Sequence, residues 1–246
     1  MRIGIISDLH SNPDALQAVF DEFDRQKVEK LIFLGDVLGI GHRSEDCVKL
    51  LMSRKDQLIG AVYGNHEGYC FIAMPKFSHT DGVKPINPEV VRYFAWNHSQ
   101  LSPTSREFLQ ALPKTQTIET DGAKIYITHY PIGEDSKYRR YIPTPNLAEC
   151  EELFVDIDAD VYLYGHTHFL NEIKSDKKYF INPGSVGCPI ETNSASAGIL
   201  DINDGRISYR RIDAHYDIAK VIHETEQLIP EFPAAKIMLQ EFFYKD

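Results

Sequence analysis

Asp8, Asp36 and Asn65 stand 28 and 29 residues apart, and each follows a short apolar run. That interval is about the length of one strand, helix and strand step, which returns a chain to the same edge of a sheet. The runs read as strands over Ile3 to Ser7, Leu31 to Leu34 and Leu58 to Tyr63. Helical patterns fill the gaps. Asn12-Pro13 offers a cap with proline at the first helical position, Ala15, Leu16, Val19, Phe20 and Phe23 recur at helical spacing, and a second helix covers Ser44 to Arg54. This alternation predicts an α/β fold with a mostly parallel first sheet.

From Gly68 to Pro113 the pattern loosens. Tyr69, Phe71 and Phe77 lead into a helical run through Val90, Val91, Phe94 and Ala95, and Ser102-Pro103 starts another helix. The stretch reads as a cap or specificity insertion over one rim of the sheet. Beyond it, Asp121-Gly122 and Asn203-Asp204-Gly205 separate strand-like runs, so the second half reads as hairpins and an antiparallel sheet. A helix over Tyr216 to Leu228 and a tail over Lys236 to Tyr244 follow. No repeat or linker divides the chain, so residues 1–246 read as one domain whose helical tail starts near 216.

Five polar segments stand at strand ends: Asp8-Leu9-His10, Gly35-Asp36, Gly64-Asn65-His66-Glu67, Thr128-His129 and Gly165-His166-Thr167-His168. In an α/β sheet the ligand crevice lies beyond the carboxyl ends of the strands, so all five can meet in one place. Carboxylate and imidazole without thiolate is ligand chemistry for Mn²⁺, Fe, Zn²⁺ or Ni²⁺. His166 and His168, at i and i+2, would project to one side of an extended segment. Asp8, His10, Asp36, Asn65, His129, His166 and His168 exceed what one ion usually takes from protein, which points to two ions sharing a carboxylate.

The order D-x-H, G-D, G-N-H-E, H and G-H-x-H resembles the calcineurin-like metallophosphoesterase superfamily, over roughly Met1 to Ile212. Asn182-Pro183-Gly184-Ser185-Val186-Gly187 is similar to a segment of its small prokaryotic branch, which contains phosphodiesterases and some dinucleotide hydrolases. The resemblance implies a four-layer α/β/β/α sandwich of two mixed sheets flanked by helices. It implies one ion on Asp8, His10, Asp36 and His168, and a second on Asn65, His129 and His166, bridged by Asp36. Mn²⁺ is the favoured ion. The implied activity is hydrolysis of small phosphodiesters or related nucleotide esters by direct attack of a metal-bridging hydroxide. His66 would stabilise the phosphoryl group or protonate the leaving oxygen, and Glu67 would orient His66 or a neighbouring ligand.

Gly39 and Ile40 occupy the places where protein Ser/Thr phosphatases of that superfamily carry an Asp and an Arg, which disfavours a phosphoprotein phosphatase. Substrate contacts could come from His42 and Arg43 just beyond Asp36, or from Lys137, Arg139 and Arg140, with Tyr138 and Tyr141 interleaved. The latter loop would grip several phosphates if the substrate were a dinucleotide polyphosphate. An interaction scaffold with a degenerate site is the alternative of another class, although every ligand position is filled. A net charge of −10 argues against long nucleic-acid tracks. Two divalent ions would concentrate about four positive charges where a small anion binds. With four scattered cysteines, no signal-like start and no apolar run near ~20 residues, the chain reads as cytoplasmic and without a membrane anchor.

Overall fold

Strand β1, Arg2–Ile6, alternates between two cores: Ile3 and Ile5 face a second sheet, while Ile6 joins the helical side. The two-residue period of a strand lets one short run line both layers. The computed structural model describes residues 1–74, 76, 85–190 and 192–244. After β1 come α1 (Pro13–Arg25), β2 (Lys30–Phe33), α2 (Ser44–Met52) and β3 (Leu58–Ala61). β1, β2 and β3 pair in parallel, as their spacing predicts. Asn12 accepts from the Ala15 amide at 3.1 Å to start α1, whose buried stripe is the one read from the sequence. α2 ends short of Arg54, because a separate 3-10 turn takes over at Lys55–Gln57.

Next are α3 (Asn65–Phe71), α4 (Pro88–Ser99) and α5 (Pro103–Gln110). α3 begins on the Gly-Asn-His-Glu motif itself; at seven residues, with Gly68 inside, it shows no apolar period that a sequence reading could detect. Phe77 lies outside the described residues.

Strands β4 (Thr115–Thr120), β5 (Ala123–Thr128), β6 (Val161–Leu163), β7 (Leu170–Lys174) and β8 (Tyr179–Pro183) make the second sheet, in the order β4-β5-β6-β8-β7. β9 (Ala195–Asn203) and β10 (Arg206–Ala214) return to the first, giving β10-β9-β1-β2-β3. Both predicted hairpins form. Asp121-Gly122 and Asp204-Gly205 are two-residue turns with positive φ at both positions, the geometry that suits the twist of paired strands. The antiparallel expectation fails at the centre of the second sheet, where β5, β6 and β8 run parallel. The chain crosses from β5 to β6 through α6 (Leu147–Leu153), and such a crossover sets the second strand in the direction of the first.

The two mixed sheets meet through Ile3, Ile5, Ile32 and Leu34 on one side and Ile125, Ile127, Val161 and Leu163 on the other. α1 and α2 cover the first sheet, and α6 with Phe154 covers the second over Tyr162 and Phe180. The layers are thus α/β/β/α. α7 (Ile218–Glu226) and α8 (Ala234–Phe242) pack with α4 in a further cluster around Tyr93, Phe94 and Phe232. Among the described residues no helix is long and apolar enough to cross a membrane, and all four cysteines are free.

Candidate metal centre

Asp8 and His10 follow β1, Asp36 follows β2, Asn65 begins α3 just past β3, His129 follows β5, and His166 and His168 follow β6. The structure brings all seven side chains together. His10 Nε2 lies 2.9 Å from His168 Nε2, and Asp8 Oδ1 lies 3.4 Å from the latter and 3.7 Å from the former. Beside them, His129 Nε2 is 3.0 Å from Asn65 Oδ1 and 3.2 Å from Asp36 Oδ2, while His166 Nδ1 is 2.7 Å from Asn65 Oδ1. Asp8 Oδ1 reaches His129 Nε2 at 3.9 Å, which makes the two groups contiguous. His66 closes a further group with His10 and Asp36.

Asp8, His10, Asp36, His166 and His168 all adopt positive φ, between 44° and 70°. Side-chain-bearing residues rarely enter that region, and such strain clusters where function demands a geometry. The extended reading of Gly165 to His168 is therefore corrected. The segment is a tight turn, held by the Gly165 amide on the His129 carbonyl at 2.8 Å and by Asn182 Nδ2 on the Gly165 carbonyl at 2.9 Å. The turn sends His168 to Asp8 and His10, and His166 to Asn65 and His129. Asn182 and Ser185, from the Asn-Pro-Gly-Ser segment, brace this turn and the end of β1: Ser185 Oγ donates to the Asp8 carbonyl at 2.8 Å.

The imidazoles are oriented by backbone. Nδ1 of His10, His129 and His168 meets the carbonyls of Leu38, Leu34 and Cys188 at 2.9, 2.8 and 3.0 Å. A carbonyl only accepts, so each Nδ1 donates and each Nε2 presents its lone pair inward in the neutral ring. Two such lone pairs then face each other across 2.9 Å, beside an Asp8 oxygen that is fully buried and has no hydrogen-bond donor. A cation relieves that crowding. Donor atoms spaced this way match the edges of a coordination shell with bonds of ~2.1 Å, and carboxylate, amide and imidazole donors suit a divalent transition metal.

Burial works to raise both Asp8 and Asp36, but their histidine neighbours outweigh it and hold both carboxyls below the usual range. For Asp8 the main partner is His168, and for Asp36 it is His129. His129 suffers the reciprocal effect. Burial opposes its charge, yet Asp36 pushes the imidazole up to about 9. Below that pH the ring holds a proton, and a metal ion must displace it.

Glu67 does not face His66. Its carboxylate accepts from the amides of Asp36 at 2.8 Å, Gly64 at 2.9 Å and Leu38 at 3.1 Å, so it ties the β2 loop to the start of α3. Burial and the Asp36 charge raise it to about 7. His66 packs against the His10 ring at 4.9 Å, and its amide donates to Asp36 Oδ1 at 2.8 Å. Burial first, then neighbouring histidines, keep its imidazole well below the ordinary value and hence neutral.

The five substrate-contact candidates are not brought to this cluster by any hydrogen bond or ion pair. His42 meets Glu224 at 3.3 Å and Thr225 at 3.1 Å on α7. Arg43 pairs with Asp14, with Asp46 at 3.3 Å and with Glu224 at 3.5 Å. Lys137 pairs with Asp135 at 3.2 Å, Arg139 with Asp156 at 2.6 Å, and Arg140 is exposed. Lys137 and Arg43 each have a carboxylate within three residues, but Asp14 and Glu224 reach Arg43, and Asp156 reaches Arg139, from distant parts of the chain, which local sequence does not disclose. Tyr138 and Tyr141 do reach the site, with ring centroids 5.5 and 5.8 Å from that of His166, and Tyr141 is 49% exposed.

A family model for the calcineurin-like phosphoesterase superfamily domain matches residues 1–205. The chain belongs to that superfamily. Over 96% of this chain and 97% of its relative, it is 29% identical to an uncharacterized protein, MJ0912, of Methanocaldococcus jannaschii. It is 26% identical to phosphodiesterase MJ0936 of the same organism, over 86% of this chain and 98% of that one. A metallophosphoesterase from Sphaerobacter thermophilus superposes with a TM-score of 0.70 at 25% identity, over 96% and 99% of the two chains. Membership makes the chain a metal-dependent phosphoric ester hydrolase, with Asp and His groups that could hold the metal. α7 and α8 lie beyond the matched residues.

Proposed function

We propose that the chain is a dinuclear phosphodiesterase acting on small phosphodiesters. The supporting observation is two contiguous donor groups, Asp8, His10 and His168 beside Asp36, Asn65, His129 and His166, with Asp36 also close to His10. Asp36 is the shared carboxylate. When bound, a pair of divalent ions supplies Lewis acidity to the phosphoryl oxygens and acidifies a water, with Mn²⁺ the favoured ion. The chain's own residues do the rest. The Nδ1–carbonyl bonds of His10, His129 and His168 keep their Nε2 atoms aimed inward. The left-handed turns at Asp8, Asp36, His166 and His168 aim side chains from separate strands at one point, so little reorganisation accompanies reaction. His66, neutral and beside Asp36, donates a hydrogen bond to the leaving oxygen as charge develops there.

The dinucleotide reading draws less support, because Lys137 and Arg139 are already paired with Asp135 and Asp156. Turnover of a small diester, a monoester and a dinucleotide polyphosphate by the Mn²⁺-loaded protein separates the readings. The diester is expected to turn over fastest, and the Arg139→Ala, Arg140→Ala pair is expected to change kcat/KM by less than about threefold, because Arg139 is held by Asp156 and Arg140 is exposed. A selective loss of dinucleotide turnover in that pair would restore the multi-phosphate grip.

A further inference from the structure

Helix α4 buries Val90, Tyr93, Phe94, Asn97 and His98, one stripe at i, i+3, i+4, i+7 and i+8. Tyr93 and Asn97 are polar yet fully buried, so their polar atoms need partners. Both direct a donor at one short loop. The Tyr93 hydroxyl lies 3.0 and 3.1 Å from the carbonyls of Ile40 and Gly41, and Asn97 Nδ2 donates to the Gly41 carbonyl at 2.5 Å. Ser44 and Ser11 donate in turn to Asn97 Oδ1.

The loop needs this grip. Gly39 and Ile40 both have positive φ, 81° and 58°, and a β-branched residue in that region persists only where its surroundings over-determine it. The turn puts Gly39 directly under His66: a Cβ at position 39 would overlap the imidazole. Phe94, on the same stripe of α4, also meets His66 edge-on, with centroids 5.1 Å apart. His66 Nδ1 is buried with no hydrogen-bond partner, so packing rather than a hydrogen bond sets the angle of the ring.

We infer that Tyr93 and Asn97 are positioning residues for His66. By holding the Gly39–Gly41 turn, and with Phe94 alongside, they fix the direction in which His66 meets the leaving oxygen. The inference rests on the role given to His66 above. Neither residue belongs to a metal-ligand motif.

The test uses the metal-loaded protein and two diesters that share a phosphoryl part, one releasing p-nitrophenolate and the other ethanolate. A poor leaving group needs the hydrogen bond more. Tyr93→Phe keeps the ring in its apolar cluster and removes one oxygen. It is expected to lower kcat about tenfold on the ethyl ester and less than about twofold on the nitrophenyl ester, at unchanged KM, with Asn97→Ala following the same pattern. His66→Ala should show the same selectivity more strongly. In the metal-free protein, the His66 ring signal in a ¹H–¹³C spectrum should move or double in Tyr93→Phe. Selective losses in His66→Ala with equal losses on both esters in Tyr93→Phe, and an unmoved ring signal, would overturn the inference alone. Equal losses in His66→Ala would overturn the role of His66 itself.

Discussion

Asp36→Asn is expected to leave the protein folded and to lower metal-dependent diester turnover by about 10³-fold or more, roughly 4 kcal/mol of transition-state stabilisation. The substitution is isosteric. An amide oxygen can still accept from the His66 amide, and the new NH₂ can donate to His129 Nε2, so the local hydrogen bonds survive. Removing the buried charge costs some stability, because its attraction to His129 outweighs its desolvation, but His129 can shed its proton and so is not left as an unpaired buried charge. What disappears is the negative oxygen close to both donor groups, and with it the means of holding two cations near each other. Initial rates at saturating Mn²⁺, with circular dichroism as the control for folding, check this. Turnover within tenfold of the parent would show that Asp36 is not the shared ligand.

The second large effect falls on stability. Glu67→Ala removes one side chain but orphans three buried amides, those of Asp36, Leu38 and Gly64. At ~1 kcal/mol or more for each unsatisfied donor, the loss is about 3 kcal/mol or more. For a chain of this length that lowers the thermal midpoint by roughly 6 to 12 °C. Glu67→Gln should fall between, since its single oxygen can replace only one of the two acceptors. A calorimetric scan of the metal-free variants reads this directly. A midpoint within about 2 °C of the parent in Glu67→Ala would mean that the two loops do not depend on this carboxylate.

Much of this was legible in the sequence because strand spacing is a long-range regularity that short motifs share. The intervals between Asp8, Asp36 and Asn65 report the βαβ step, and Asp121-Gly122 and Asp204-Gly205 report turn chemistry, so the elements carrying the site could be placed before the structure. What local sequence does not encode is backbone hand and distant pairing. Nothing in Gly165-His166-Thr167-His168 reveals that both histidines turn left-handed and diverge, and Glu67 stands beside His66 in sequence while serving three backbone amides. Arg43 looks free until Asp14 and Glu224 arrive from separate helices. Likewise the parallel pairing of β5 with β6 depends on a crossover through α6, a seven-residue helix without a visible period.

The dinuclear reading meets its most direct test in a metal titration. The protein is stripped with a chelator and Mn²⁺ is returned in known equivalents while hydrolysis of a small diester is followed. The run belongs near pH 8, because protons compete with metal at His129 and that competition eases toward pH 9. No turnover by the stripped protein, and a rate that rises to a plateau at two ions per chain, is the result predicted. Full turnover without metal, or a plateau at one ion, would contradict it.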